Sequence, residues 1–300
     1  MNTSTPSFVT DLIDRSNRLG SNPKNTNYAG GNTSAKGTAT DPVTGEDVGL
    51  LWLKGSGGDL GTLTEKGLAV LRLDRVRSLV DVYRGVDHED EMAAAFDYCL
   101  HGKGGAAPSI DTAMHGLVEA DHVDHLHPDS GIAIATASDG ERLTDEIYGN
   151  KVVWVPWRRP GFQLGLDIAA VKDGNPQAVG CILGGHGITA WGETSEQAEQ
   201  NSQWIIDTAE AYIAEHSKPE PSAQPSLGSV PCQRASGVPR LRPWRPQFAD
   251  WRLRTGLRWA TTPTTPEPGV SGGHRAPPAR RLGHVLPRPL PANQGEAVGS

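Results

Sequence analysis

One short segment, His122-Val-Asp-His-Leu-His-Pro-Asp-Ser130, constrains the fold of this chain more than any other. Its apolar residues, closed by Pro128, predict a short strand. Residues two apart in a strand point to the same face, roughly 6.5 Å apart at about 3.3 Å per residue. His125 and His127 can therefore direct both imidazoles at one metal ion, whereas His122 lies three residues before His125 and faces the other way. The rest of the chain must supply further ligands and a base.

The pattern on both sides of this strand predicts an α/β layer domain. Helical periodicity alternates with short apolar runs that are bounded by Gly, Pro and Asn. Thr64, Ser109 and Thr194 are predicted to cap helices. The predicted helices cover residues 8–19, 64–79, 89–100, 109–119, 131–137, 162–174 and 195–214, with a loop between 138 and 150. The predicted strands cover residues 33–40, 48–54, 122–127, 151–156 and 178–183.

Two loops rich in small residues precede the histidine strand. Their sequences are Asn25-Thr-Asn-Tyr-Ala-Gly-Gly-Asn-Thr-Ser34 and Lys54-Gly-Ser-Gly-Gly-Asp-Leu60. Such loops can offer backbone N–H groups and hydroxyls to a phosphate or another anion. An ordinary polar turn is the alternative for the first loop. The second differs from the GxxxxGK[ST] order, which excludes a Walker loop.

Two more residues have the chemistry of a metal site. Asp111, in the segment Pro108-Ser-Ile-Asp, falls in the first turn of a predicted helix just before the histidine strand. It either complements the helix dipole, worth about 0.3–1 kcal/mol, or acts as a base or ligand. His186 lies between Gly185 and Gly187, where glycine permits tight turning and close backbone approach. It is the third histidine that could complete the site.

The composition changes sharply after residue 216. Residues 217–300 contain 15 of the 23 prolines, twelve basic residues against four acidic ones, and no Ile, Met or Tyr. Such a segment cannot offset the entropy of ordering, so we expect a folded domain over residues 1–216 and a disordered tail over 217–300. The bias of the tail toward residues with GC-rich codons favours out-of-frame translation after a frameshift near residues 219–235. A genuine basic linker is the alternative.

The composition also argues against several classes of function. The acidic body of the chain argues against nucleic acid as a partner. No run of about 18 apolar residues predicts a membrane span, and the N-terminus lacks the pattern of a signal peptide, so we expect a cytoplasmic protein. Cys99, Cys181 and Cys232 lack CxxC spacing and are expected to be reduced thiols. Without a GxGxxG fingerprint, NAD chemistry is not expected from this chain.

Five motifs in order resemble the class II aldolase/adducin family over about residues 8–215. They are GGNTS at 30–34, KGSGG at 54–58, PSID at 108–111, HLH at 125–127 and GHG at 185–187. Within that family they resemble the aldolase part of bifunctional rhamnulose-1-phosphate aldolase/dehydrogenase proteins. The resemblance implies a three-layer α/β fold, with a central, mainly antiparallel sheet flanked by helices.

The resemblance also implies roles for individual residues. The metal ligands of the family correspond to His125, His127 and His186, and three imidazoles suit a catalytic divalent ion, zinc most often, with manganese as the alternative. The general base of the family corresponds to Asp111, which is one methylene shorter than the family's glutamate. The phosphate-binding residues of the family correspond to Asn32, Ser56, Gly57 and Ser109.

The implied activity is metal-dependent cleavage of a ketose 1-phosphate, with rhamnulose 1-phosphate as the first choice. The products would be dihydroxyacetone phosphate and lactaldehyde. A pentulose-phosphate 4-epimerase of the same fold is one alternative, and a non-catalytic adducin-like scaffold or an inactive truncated protein is another. The resemblance further implies a homo-oligomer with a small sugar phosphate as its substrate and no membrane partner.

Overall fold

The computed structural model describes residues 6–102 and 105–217. The tail predicted over residues 217–300 lies outside the described residues except for Ser217, so the statements about it stay predictions.

The described residues form eight α-helices and seven β-strands, joined by loops and short 3₁₀ turns. The helices are α1 Ser7–Ser21, α2 Leu73–Val82, α3 Glu89–Ala95, α4 Thr112–Leu117, α5 Asp129–Ala135, α6 Gly140–Tyr148, α7 Phe162–Gly174 and α8 Ser195–His216. The strands are β1 Asn32–Thr40, β2 Asp47–Lys54, β3 Leu68–Arg72, β4 His122–Leu126, β5 Val152–Val155, β6 Gly180–Leu183 and β7 Gly187–Gly192. None of these helices is long and apolar enough to cross a bilayer.

The seven strands form one sheet in the order β3-β2-β1-β4-β7-β6-β5. All neighbouring strands are antiparallel except β5 and β6, which are parallel. The predicted mainly antiparallel sheet is therefore confirmed. The histidine strand β4 lies at its centre, where His125 is opposite Asn32 of β1 on one side and Thr189 of β7 on the other.

The strands carry apolar side chains on both faces of the sheet, and both faces are buried. Helices α1, α5, α6 and α8 cover one face, where Leu126 and Ile188 pack against Ile205. Helices α2, α3, α4 and α7 cover the other face, where Val123 packs with Met114. Successive side chains of a strand point to opposite faces of the sheet, so each of them packs against the helices on one face. The predicted three-layer arrangement is confirmed.

The prediction of a helix over residues 64–79 was wrong for the first half of that segment. Residues Glu65–Gly67 form a 3₁₀ turn and Leu68–Arg72 form the edge strand β3, so the helix α2 begins only at Leu73. Pairing with β2 buries alternate residues of this segment on both faces of the sheet. A short run rich in Leu and Val does not distinguish strand from helix by periodicity, and here the available strand edge decided between them.

Other differences concern segments with few apolar residues. The loop predicted over 138–150 contains α6, whose Leu143 and Tyr148 reach the core. Strand β7 was not predicted, because its glycine ends resemble a loop. The helix predicted from Ser109 begins at Thr112, since the Ser109 hydroxyl accepts a hydrogen bond from the N–H of Asp111 within the preceding turn. By contrast, the Thr194 cap is confirmed, since its side chain accepts from the N–H of Gln197.

A buried ion pair joins α1 to β4. Nε of Arg15 donates to Oδ1 of Asp124 at 3.1 Å, and both side chains are fully buried. The guanidinium also donates to the carbonyl oxygen of Ser34 at 2.9 Å and to Oγ of Ser195 at 2.7 Å. Since Ser34 belongs to β1 and Ser195 to α8, one side chain ties four elements together beside the histidine strand.

Candidate metal centre

Three histidines from two parts of the chain converge at one end of β4. His125 lies within β4, His127 follows the strand directly, and His186 lies in the turn between β6 and β7. The potential ligand atoms of the three side chains lie within 4.8 Å of one another. Their ring centroids are 4.7 to 5.1 Å apart. The structure therefore brings together the three predicted ligands in an arrangement that could hold a metal ion.

Oxygen atoms outside the cluster orient two of the imidazoles. Nδ1 of His125 lies 2.9 Å from the carbonyl oxygen of Ile188, and Nδ1 of His127 lies 3.0 Å from Oδ1 of Asn27. These oxygens only accept hydrogen bonds, so each Nδ1 carries the hydrogen and each Nε2 keeps a lone pair. The two Nε2 atoms lie 3.0 Å apart. Two facing lone pairs at this distance repel each other, and an ion with zinc–nitrogen distances of about 2.0–2.1 Å could contact both.

Burial keeps these imidazoles in the neutral form that binds metals. It lowers the pKa of His127 to about 4 and the pKa of His125 well below its ordinary value, and the neighbouring histidines act in the same direction. Burial also lowers the pKa of His186, while the charge of Asp111 opposes that shift. Nδ1 of His186 is buried and has no hydrogen-bond partner among the described residues. Neutral rings and an unpaired ring nitrogen fit a metal site.

Two glycines let the backbone close around His127. A Cβ atom on Gly187 would lie 2.5 Å from the carbonyl oxygen of Leu126 and 2.9 Å from Cδ2 of the His127 ring. A Cβ atom on Gly30 would lie 2.1 Å from Oδ1 of Asn27, the atom that orients the same ring. The first glycine-rich loop, predicted as an anion site, thus also holds a candidate ligand in place.

The carboxylate of Asp111 is held from one side. Its Oδ2 accepts a hydrogen bond from Nδ2 of Asn32 at 2.7 Å and one from Oγ of Ser109 at 3.2 Å. Its Oδ1 is buried and has no hydrogen-bond partner among the described residues. Asn32, which donates to this carboxylate, lies opposite His125 in the pairing of β1 with β4, so the carboxylate lies near the histidine cluster. The predicted base and the predicted ligands share one site.

The second glycine-rich loop adjoins the segment that carries Asp111. The N–H of Ser56 donates to the carbonyl oxygen of Ala107 at 2.8 Å. Gly57 and Gly58 follow with φ values of 77° and 72°, a conformation that favours glycine. Ser56 and Gly57 are both exposed, so this loop presents small donors to solvent next to the Asp111 segment.

Lys54 is a candidate functional residue that sequence analysis missed. Its side chain is 2% exposed, its Nζ donates to the carbonyl oxygen of Gly57 at 3.2 Å, and it has no ion-pair partner among the described residues. Burial lowers the pKa of Lys54, while the charges of Asp59 and Asp111 oppose that shift. A buried ammonium group with one hydrogen bond is suited to an anionic ligand. The available signal was its position directly before Gly-Ser-Gly-Gly.

A family comparison agrees with this geometry. Residues 11–213 match the profile of the class II aldolase and adducin N-terminal domain. The chain belongs to the class II aldolase/adducin family. The family resemblance inferred from the five motifs is therefore confirmed.

Two relatives show how this family domain occurs in other proteins. A Bacillus subtilis protein named YuxG, called an uncharacterized oxidoreductase, is 40% identical over 208 residues. The match covers 69% of this chain but 30% of YuxG. The N-terminal class II aldolase domain of a conserved protein from Thermoplasma acidophilum is 27% identical with a TM-score of 0.63, and the match covers 71% of this chain and 97% of that domain.

A more distant structure shares the fold. The sugar-phosphate aldolase from Thermotoga maritima is 14% identical with a TM-score of 0.50, and the match covers 69% of this chain and 94% of that protein. At this level of identity the similarity concerns the fold alone.

Two buried histidines outside the candidate ligand set are expected to make stability depend on pH. Burial lowers the pKa of His115 to about 3 and that of His122 to about 4, and the charge of Arg15 adds to the shift at His122. The native state therefore holds these rings neutral, whereas the unfolded chain protonates them near pH 6.5. Their contribution is complete above pH 6.5 and is lost as the pH falls toward 3–4.

The expected loss at pH 5 relative to pH 8 is about 2 kcal/mol for each ring. Urea unfolding at the two pH values measures it. The variant His216→Gln, at an exposed histidine, should show the same loss as the wild type. An unfolding free energy that does not fall between pH 8 and pH 5 would contradict the prediction.

Proposed function

We propose that this chain is a metal-dependent lyase that cleaves a ketose 1-phosphate, with rhamnulose 1-phosphate as the first choice. The products are dihydroxyacetone phosphate and lactaldehyde. The observation that carries this proposal is the convergence of His125, His127 and His186 beside the carboxylate of Asp111. Oδ1 of that carboxylate has no hydrogen-bond partner among the described residues. Membership of the class II aldolase/adducin family supports it.

The proposed ligands of the divalent ion are the three imidazoles, with zinc as the first choice and manganese as the alternative. Asn27 and the carbonyl oxygen of Ile188 hold two of the rings with Nε2 directed at the site. A divalent ion bound there supplies a Lewis acid for the carbonyl group of the ketose. The protein residues position the remaining groups of the substrate.

Other residues around this centre are proposed to transfer the proton and to bind the phosphate. As the bond between C3 and C4 breaks, the C4 hydroxyl loses a proton and becomes the aldehyde oxygen, and the electron pair left on C3 takes up a proton; Asp111 accepts the first proton and returns one to C3. Ser56, Gly57 and Lys54 bind the phosphate, which holds the reacting carbons in register with Asp111. Asn32 and Ser109 were predicted to bind phosphate as well, and both donate to Asp111 here. They would have to exchange one of these hydrogen bonds to contact the substrate.

The decisive experiment combines metal analysis with product identification. The full chain is purified, its bound metal is quantified, and it is incubated with rhamnulose 1-phosphate before and after removal of metal by a chelator. We expect dihydroxyacetone phosphate and lactaldehyde to appear only with metal. A stereoisomeric sugar phosphate without free aldehyde would identify a 4-epimerase instead. Failure to turn over ketose 1-phosphates or pentulose phosphates, with metal bound, would favour the non-catalytic scaffold.

We also propose that residues 1–216 are the aldolase unit of a two-part architecture and assemble as a homo-oligomer. YuxG is called an oxidoreductase, and this chain spans 30% of its length. Both the length and the name of YuxG are expected if an aldolase part is joined to a dehydrogenase part in that protein. Sedimentation of the purified chain tests the oligomer.

Replacing Lys54 by Met is expected to weaken binding of the phosphorylated substrate. A charge-assisted hydrogen bond to a phosphate is worth roughly 1.5–3 kcal/mol, so KM should rise about 10- to 100-fold while the bound metal stays constant. Steady-state kinetics and metal analysis measure both. The matched control is Lys66→Met, which removes the same charge from an exposed side chain nearby and should leave KM unchanged. Equal KM values for the two variants would contradict the role of Lys54.

A further inference from the structure

A fully buried histidine outside the metal cluster contacts the machinery around Asp111. His115 lies in α4, which covers the sheet face that carries Asn32 and Ser34. Its Nε2 lies 2.5 Å from Oδ1 of Asn32, and its Nδ1 lies 2.7 Å from Oγ of Ser34. Asn32 in turn donates to Oδ2 of Asp111 at 2.7 Å. A continuous chain of hydrogen bonds therefore runs from Ser34 to the proposed base.

The direction of this chain follows from the donors and acceptors. A carboxylate only accepts, so Asn32 must turn its NH₂ group toward Asp111 and its oxygen toward His115. The oxygen also only accepts, so Nε2 of His115 carries the hydrogen and Nδ1 accepts from the hydroxyl of Ser34. Burial, which lowers the pKa of His115 to about 3, keeps this single tautomer neutral. Each member of the chain fixes the orientation of the next.

The result at Asp111 is an asymmetric carboxylate. Oδ2 accepts hydrogen bonds from Asn32 and Ser109, whereas Oδ1 is buried without a partner among the described residues. A carboxylate oxygen that already accepts two hydrogen bonds is a poorer proton acceptor than one that accepts none. The two oxygens therefore have different tasks.

We propose that His115 is a positioning residue which, through Asn32, fixes Asp111 so that Oδ1 exchanges the proton with the substrate. This inference rests on the proposed function, because it assigns the proton transfer of that reaction to one oxygen. Without the hydrogen on Nε2 of His115, the amide of Asn32 can rotate and present its oxygen to the carboxylate. Asp111 would then lose a donor and turn away from its reactive orientation.

Three substitutions at this position separate positioning from ordinary packing. His115→Phe keeps a ring but removes both nitrogens. His115→Gln can place an N–H near the former Nε2, whereas His115→Asn, of similar polarity, can place one only near the former Nδ1. We expect kcat to fall about 10- to 100-fold in the Phe and Asn variants, the effect of losing one buried hydrogen-bond partner, with KM within about threefold. The Gln variant should recover most of kcat.

Coupling to Asn32 gives a second kinetic readout. If His115 acts through Asn32, the double variant His115→Phe with Asn32→Ala should be no slower than Asn32→Ala alone. Additive losses, or a Gln variant as slow as the Phe variant, would overturn the proposal. The metal content should be equal in all variants.

Nuclear magnetic resonance tests the same chain without any turnover. In the metal-loaded, isotope-labelled full chain we expect the His115 ring to be protonated at Nε2 and the side-chain amide of Asn32 to be protected from exchange. That protection should be lost in His115→Phe and kept in His115→Gln. A wild-type ring protonated at Nδ1 overturns the proposal even if no variant folds. If the spectra agree but no cleavage occurs, the hydrogen-bond chain stands and the proposed reaction fails.

Discussion

The variant His125→Ala should lose both its bound metal and its cleavage activity. Of the three candidate ligands, His125 is the most deeply buried, and its Nδ1 is already committed to the carbonyl oxygen of Ile188. Removing the ring leaves His127 and His186, which is one protein ligand fewer than catalytic zinc sites usually have. Removing a residue that only hydrogen-bonds to a metal-binding side chain lowers metal affinity roughly 10- to 100-fold. Removing the metal-binding ring itself should lower the affinity by more than that.

Metal analysis after dialysis and a cleavage assay measure the two effects together. The matched control is His216→Ala, at an exposed histidine near the end of α8, which should keep wild-type metal and rate. Wild-type cleavage by metal-free protein would refute the metal centre, as would full metal retention by the His125 variant.

The variant Arg15→Leu is expected to cause the largest loss of stability. Arg15 and Asp124 are fully buried, and removing one partner leaves an uncompensated charge in the core. Such changes cost about 3–5 kcal/mol. The same substitution also removes the donors to Ser34 and Ser195.

The free energy of urea unfolding provides the measurement. Arg18→Leu is the matched control, because Arg18 also joins α1 to α8 but pairs with Glu199 at the surface, where its side chain is 59% exposed. Exposed pairs contribute about 0–1 kcal/mol. The double variant Arg15→Leu with Asp124→Leu should recover part of the loss, since no buried charge remains. Similar losses for the Arg15 and Arg18 variants would show that the buried pair has no special role.

The three histidines of the candidate metal centre could be predicted because their signals are local. The two-residue spacing of His125 and His127 in an apolar strand fixes a common face, and the glycines beside His186 indicate a turn. Lys54 and His115 were missed for the opposite reason. A lysine at the end of a strand and a histidine on a helix stand out only when their burial and their distant partners are known.

The predicted boundaries of helices and strands also depended on whether the signal was local in the sequence. The helix α8 was predicted well, because Thr194 provides a local cap and the pattern continues for several turns. The segment Leu68–Arg72 was mistaken for helix because a short apolar run is compatible with either structure, and only the free edge of β2 selected the strand.

The sequence by itself determined the α/β class, the composition break near residue 217 and the identity of the three histidines, because each depends on residues close together in the chain. The tertiary structure decided how those residues meet. It placed β4 between β1 and β7, which sets Asn32 beside His125 and brings His186 from 61 residues further along the chain to the same end of the strand. Strand order and long-range hydrogen bonds arise from packing the whole chain. The tautomers, the burial of Lys54 and the lack of a partner for Oδ1 of Asp111 among the described residues therefore required the fold.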